Sequence, residues 1–183
     1  MIGDGTSGRF ERVVLPYLAD AYALARWITG DRADAEDVVQ EACLRAFRAI
    51  AGYAGGNPRA WTLTIVRNTA YTWLAKNRTA VVVGVDDLVA TERAHTNPGH
   101  IGNNGNYAAN PESELIAKAD AAKLEAAIAA LPAQFRETLV LRDIQGLDYR
   151  EIATVTEVPV GTVMSRLARA RARLIEIIGA DRT

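Results

Sequence analysis

The chain has 183 residues, room for one ordinary domain or two small ones, and its 49% hydrophobic content supports a buried core and excludes wholesale disorder. The formal net charge is −1 and the pI is about 6.1, which argues against a protein that holds DNA through bulk positive charge. Cys43 is the only cysteine, so an intrachain disulfide and a Cys-rich metal site are both excluded.

Abundant Ala, Leu, Arg and Glu lose little entropy in a helix, so the composition leans helical. Met1 to Arg12 has no apolar signal core, and no apolar run is long enough to span a bilayer. A reducing, cytoplasmic setting is the expectation. Phe10 to Thr29 is apolar at helical spacing and stops at Gly30, with Pro16 as an internal break. Asp34 offers an N-cap with Asp37 three residues on, opening a helix that runs to about Ile50. A Gly-rich loop, 52–58, precedes a third long helix from about Arg59 to Arg78.

From Thr79 to Asn110 the periodicity collapses. Val81, Val82, Val83 and Val85 suggest a short extended piece leading into Asn/Gly-rich sequence, and a structureless stretch this long reads as an interdomain linker. Asn110-Pro111 then caps a helix to about Ala130, and Pro132 to Gln145 forms another. Gly146 turns the chain into Asp148-Tyr149-Arg150-Glu151, a capping box for a short helix to about Val155. Thr156-Glu157-Val158 is a tight turn before a last helix from Pro159 to about Ile178. The expected fold is all-α: an N-terminal helix bundle (1–78), a flexible linker (79–110) and a C-terminal helix-turn-helix domain (111–183).

Two short helices separated by three or four residues, the second rich in Arg, describe a helix-turn-helix. Ile152 and Val155 are placed to pack on Val160, Val163, Leu167 and Leu174, one stripe of the last helix, while Thr162, Arg166, Arg169 and Arg173 take the other side. The arginine fork suits guanine edges and phosphates, and Gly161 and Thr162 lie in a first turn whose free N–H groups favour a phosphate. In the first half, Asp31, Asp34, Glu36, Asp37 and Glu41 crowd the start of the second helix. Capping accounts for Asp34 and Asp37, and less well for Gln40 and Glu41. The third helix is the opposite: Arg59, Arg67, Lys76 and Arg78 without an acid, interleaved with Trp61, Tyr71 and Trp73. Leu63, Val66, Ala70 and Trp73 form its core stripe and Trp61, Ile65, Asn68 and Thr72 a second. A basic helix with aromatics after a Gly-rich loop suits single-stranded nucleic acid.

Together these segments resemble the extracytoplasmic-function (ECF) group of bacterial RNA polymerase sigma factors. Residues 34–41 look like their polymerase-clamp-binding segment, 57–68 like their promoter-melting segment, and 147–153 with 158–167 like their second DNA-binding domain. The resemblance implies that Asp34, Asp37, Gln40 and Glu41 face the clamp helices of the largest subunit of core RNA polymerase. It implies that Arg59, Trp61, Arg67 and Asn68, with the loop 52–57, hold the opened −10 strand, one base leaving the stack for a protein pocket. Gly161, Thr162, Ser165, Arg166, Arg169 and Arg173 are then the residues on the double-stranded −35 element. Met164 stands where many members carry Lys, which removes a phosphate contact. An anti-sigma factor covering both DNA-reading surfaces is a further family expectation.

Near-zero net charge implies that the free chain holds promoter DNA poorly until polymerase fixes the two domains at the right separation. Cys43 reads as a small buried hydrophobe, and His95 and His100, in the linker, make no metal site. No nucleophile–base constellation or phosphate-binding loop is present, so neither enzymatic activity nor a cofactor is expected. Two rival readings are a dimeric helix-turn-helix regulator, which needs a dimerisation or sensor module, and a decoy that titrates an anti-sigma factor, which in related proteins carries a receiver domain.

Overall fold

The structure, a computed structural model, describes the backbone of residues 3–81 and 111–180 and the side chains of residues 5–77 and 120–180. Among these residues every regular element is helical. The order is α1 (Gly3–Val13), a 3-10 turn (Leu15–Tyr17), α2 (Leu18–Thr29), α3 (Arg32–Ala49), α4 (Pro58–Val81), α5 (Pro111–Ala129), α6 (Ala133–Leu139), α7 (Tyr149–Thr156) and α8 (Val160–Ala180). No helix among them is long and apolar enough to cross a membrane.

The local punctuation has identifiable causes. Pro16 sits at the start of the 3-10 turn that separates α1 from α2. Gly30 ends α2 at φ 80°, a left-handed conformation that glycine adopts without a Cβ penalty, and its N–H returns to the Arg26 carbonyl. The cap of α3 is Asp31 rather than Asp34. Asp31 is extended, and its carboxylate accepts from the N–H groups of Ala33 and Asp34, leaving Asp34 inside the first turn. Asn57 caps α4 through its Oδ1, 3.1 Å from the Ala60 nitrogen, with Pro58 as first helical residue. Helix α4 runs on through Val81, so this valine is helical and not part of an extended piece; Val82, Val83 and Val85, His95, His100 and the rest of the expected linker to Asn110 lie outside the described residues.

Residues 133–144, expected as one helix, divide into α6 and a π-helical turn, Val140–Ile144. There the Gln145 N–H reaches back five residues to the Val140 carbonyl. The capping box of α7 forms as the sequence indicates: Asp148 accepts from Arg150 and Glu151, and Glu151 accepts from the Asp148 N–H at 2.7 Å.

Two helical units emerge, α1–α4 and α5–α8, and they pack on each other. One buried cluster joins Leu24, Val38, Leu63 and Val66 of the first to Leu141, Leu147, Ile152, Val155 and Val163 of the second. A smaller cluster within the second unit gathers Ile128, Leu131, Leu139, Val140, Leu167 and Ala170, with Trp27 of the first unit against it. The α8 stripe is therefore shared between two clusters. Leu174 is only partly buried, and Val160, expected inward, is 37% exposed because it starts the helix at the edge of the packed face. Trp73 packs against the main core as expected, with its indole N–H buried and without a partner among the described residues.

Candidate nucleic-acid and polymerase interfaces

On α3, Val38, Ala42 and Ala46 are buried while Asp37, Gln40 and Leu44 are exposed, and Asp34 and Glu41 are half-buried. The helical period thus sorts this segment into a core face and an outward acidic face. Glu41 is not a free carboxylate: it accepts from Arg45 Nε at 2.8 Å, one turn on, and that bond holds its carboxyl below the ordinary value. Leu44 and Phe47 add apolar surface to the same stretch, a feature the charge pattern alone does not signal. Cys43 is partly buried, and burial raises its thiol pKa.

On α8, Ser165, Arg169 and Arg173 are exposed and Thr162 and Arg166 half-buried, opposite the buried Val163, Leu167 and Ala170. The exposed Gly161 has open space where a Cβ would stand. Arg166, Arg169 and Arg173 have no ion-pair or hydrogen-bond partner among the described residues. The fourth arginine, Arg171, is different: it clasps Asp143 through Nε and Nη2, at 3.1 and 2.7 Å. Helix α8 therefore offers three guanidiniums free of hydrogen bonds and ion pairs among the described residues, Arg166 acting on Glu137 by charge alone, beside a first turn with open approach, the donor set that a major groove and its flanking phosphates accept.

The third constellation surrounds the start and middle of α4. Gly55 and Gly56, at φ 97° and 100°, shape the preceding loop, whose Tyr53 hydroxyl donates to the Gly56 carbonyl at 2.9 Å. Trp61 leans on the Tyr53 ring, centroids 5.0 Å apart, and Arg9 of α1 caps the other aromatic contact and donates to the Tyr53 carbonyl. This brace links α1 to the loop and was not evident in the sequence. Arg59 donates to Asp20 of α2 and to the Gln145 carbonyl, each at 2.7 Å. Arg67 forms an ion pair with Glu137 and lies over the Tyr71 ring at 4.9 Å. Asn68 reaches Glu157 at 3.5 Å, and Asn57 donates to Glu151.

Glu137 is 2% exposed. Burial raises its carboxyl pKa, while the Arg67 bond and charge pull the other way. The neighbouring Tyr71 phenol is pushed up to about 12, first by burial and then by the Glu137 charge. The four residues expected at the −10 strand thus lie along one helix, but the polar groups of Arg59, Arg67 and Asn68 already have partners, chiefly in the C-terminal unit, and Trp61 rests on the Tyr53 ring.

Residues 13–80 match the Sigma-70 region 2 family and residues 121–174 match Sigma-70, region 4. The RNA polymerase sigma-H factor of Pseudomonas aeruginosa is 32% identical over 176 residues, covering 91% of this chain and 84% of that protein. The ECF RNA polymerase sigma-E factor of Escherichia coli K12 is 32% identical over 139 residues, covering 75% of this chain and 70% of the relative. The ECF sigma factor SigE of Mycolicibacterium smegmatis is 30% identical, and the match spans 90% of this chain and 60% of that protein. Among solved structures, the sigma factor RpoE of Bartonella quintana, crystallised with the anti-sigma factor NepR, superposes with a TM-score of 0.68 at 25% identity, covering 94% of this chain and 98% of that one. The chain belongs to the sigma-70 family, within its ECF group of RNA polymerase sigma factors.

Proposed function

We propose that this sigma factor binds core RNA polymerase through the outward face of α3 and directs initiation by reading two separated promoter elements, the −10 strand with α4 and the −35 duplex with α8. Asp37 and Gln40, with Asp34 and Glu41 beside them, meet the clamp helices of the largest subunit, with Leu44 and Phe47 as apolar contacts. Arg166, Arg169 and Arg173, with Thr162 and Ser165, enter the major groove, and Gly161 lets a phosphate approach the start of α8. Arg59, Trp61, Arg67 and Asn68, with the loop 52–57, take the melted −10 strand. The domain limits are 1–78 and 111–183, joined by 79–110. The chain works without catalysis of its own, in the cytoplasm, and an anti-sigma factor holds it in check, as NepR pairs with the Bartonella protein.

One observation carries this reading: a single chain presents an outward acidic helix and, on a separate helix-turn-helix, three arginines with no hydrogen-bond or ion-pair partner among the described residues. A dimeric repressor has no use for the first of these. Run-off transcription with purified core polymerase on a genomic library, followed by start-site mapping, is the test. Discrete start sites that require the chain are expected. A chain that neither associates with core polymerase nor yields such transcripts refutes the reading, and a palindromic footprint without polymerase points to the regulator instead.

A further inference from the structure

We infer that Arg9 is a positioning residue for the −10 strand: from α1 it holds both the carbonyl and the ring of Tyr53, and so keeps the loop 52–57 and the face of Trp61 in the shape that receives an unstacked base. The inference rests on the assignment of that loop and Trp61 to the −10 strand, and adds what keeps the receiving surface formed.

Tyr53 is tied at each of its polar groups. Its N–H donates to the Ile50 carbonyl at 3.2 Å, its carbonyl accepts from Arg9 Nη2, and its hydroxyl donates to the Gly56 carbonyl at 2.9 Å. Two ring contacts add to these bonds. The Arg9 guanidinium lies 5.7 Å from the ring centroid, and the Trp61 ring lies 5.0 Å away at an interplanar angle of 49°. One tyrosine thus joins α1, the loop and the start of α4. Beyond it the loop is open: residues 54–56 are exposed, and Gly55 and Gly56 hold φ 97° and 100° with free space where a Cβ would stand. Glycine gives up more backbone freedom on ordering than any other residue, so a loop with two of them needs an outside tie to keep one shape. Arg9 supplies that tie.

Helix α1 has its own anchors. Phe10 meets Phe47 of α3 edge-on with centroids 5.5 Å apart, the Val13 carbonyl accepts from Thr62 of α4 at 3.3 Å, and Val14 is 1% exposed. Tyr53 and Trp61 lie outside both buried clusters. Removing the Arg9 guanidinium therefore releases the loop while α1 and the core stay in place.

A single strand engages this surface in two parts. Its backbone follows the basic side chains of α4 whatever the loop does, whereas an unstacked base is received only when the loop is formed. A loop formed in only a fraction of the molecules weakens the second part by that fraction and leaves the first untouched. The test uses holoenzyme and short fluorescent single strands carrying the non-template −10 sequence of a promoter mapped in the transcription experiment above, each with one abasic site. Wild type is expected to show one position where the abasic site costs far more affinity than elsewhere. Arg9→Ala is expected to cut that penalty at least about fivefold, with affinity for the strand abasic at that position unchanged. A penalty as large as that of wild type overturns the inference. So does an equal loss on every strand, abasic ones included, because it makes Arg9 a phosphate contact or a residue of general stability. Should Arg9→Ala not fold by circular dichroism, Arg9→Met, which keeps the stem and removes the guanidinium, is read by the same criteria. A flat profile for wild type refutes the −10 assignment together with the inference, whereas a wild-type peak that survives loss of the guanidinium refutes the inference alone.

Discussion

Asp148 opens the first helix of the helix-turn-helix, and replacing it by Ala tests whether local capping sets the geometry of the −35 reader. Its carboxylate accepts from Arg150 and Glu151 at 2.7 and 2.8 Å, and the Glu151 side chain returns a bond to the Asp148 N–H. Asp148→Ala removes the first two bonds and leaves two N–H groups at the helix start to water. Loss of such a cap costs about 1–2 kcal/mol including the charge lost from the helix N-terminus. For a chain of this size that lowers the thermal midpoint by roughly 2–8 °C. Helix α7 packs through Ile152 and Val155 on the cluster that contains Val163 of α8, so a frayed α7 also loosens the platform of the arginine face. Melting followed by circular dichroism, beside footprinting of the −35 duplex by holoenzyme, reads both effects. Asp148→Asn keeps an acceptor in place and is expected to fall within a few tenths of a kcal/mol of wild type, apart from the charge contribution. A melt of Asp148→Ala indistinguishable from wild type, or an Asn variant as weak as the Ala variant, refutes the capping account.

Arg166→Ala is expected to cost about 1–3 kcal/mol of promoter affinity, concentrated at one base pair of the −35 element. An equal loss on every upstream sequence in a gel-shift series with holoenzyme assigns Arg166 to phosphates only. Asp37→Lys reverses an exposed charge on α3 and is expected to weaken binding to core polymerase while leaving the melting curve in place. Unchanged affinity for core removes this face from the interface. For Glu137, burial raises the folded-state carboxyl pKa, so between the ordinary carboxylate value of 4.5 and the raised one the folded chain retains a proton that the unfolded chain has released. Stability then falls as pH rises through that window. Subtracting the pH profile of Glu137→Gln from that of wild type isolates the slope, and a difference that rises with pH contradicts the assignment.

Much of this fold is legible because its signals are local. Gly30 follows the last periodic residue of α2 and Asp148 stands three residues before Glu151, so each carries its cap in a window of a few residues. Asp34 misleads for the same reason that Asp148 informs. Asp31 and Asp34 both precede an apolar-periodic run, and only the backbone shows that Asp31 is the extended one. Val81 misleads because a run of valines favours strand by propensity, whereas a helix already nucleated continues through it. Glu137 was invisible. In Gln134-Phe135-Arg136-Glu137 it looks like one more solvated acid, and its burial arises from Arg67, 70 residues away in the sequence. Contacts of that kind leave no periodic trace.

The same long-range pairing shows where part of the charge cancels in a chain with 21 basic and 22 acidic residues. Arg59 and Arg67 of α4 meet acceptors inside the molecule, and a guanidinium can exchange such an acceptor for a phosphate or a base edge. Because the donors stay satisfied on both sides of that exchange, opening leaves no buried N–H orphaned, and the usual penalty for breaking a buried polar contact falls mainly on Glu137, which water can then solvate. What resists opening is the apolar junction of Leu63 and Val66 with Ile152 and Val155, whose burial has no counterpart in DNA. That resistance has to be met by something that grips the two units separately and holds them apart. The outward face of α3 and the exposed face of α8 lie on different units, so one partner on each can hold them without disturbing the other.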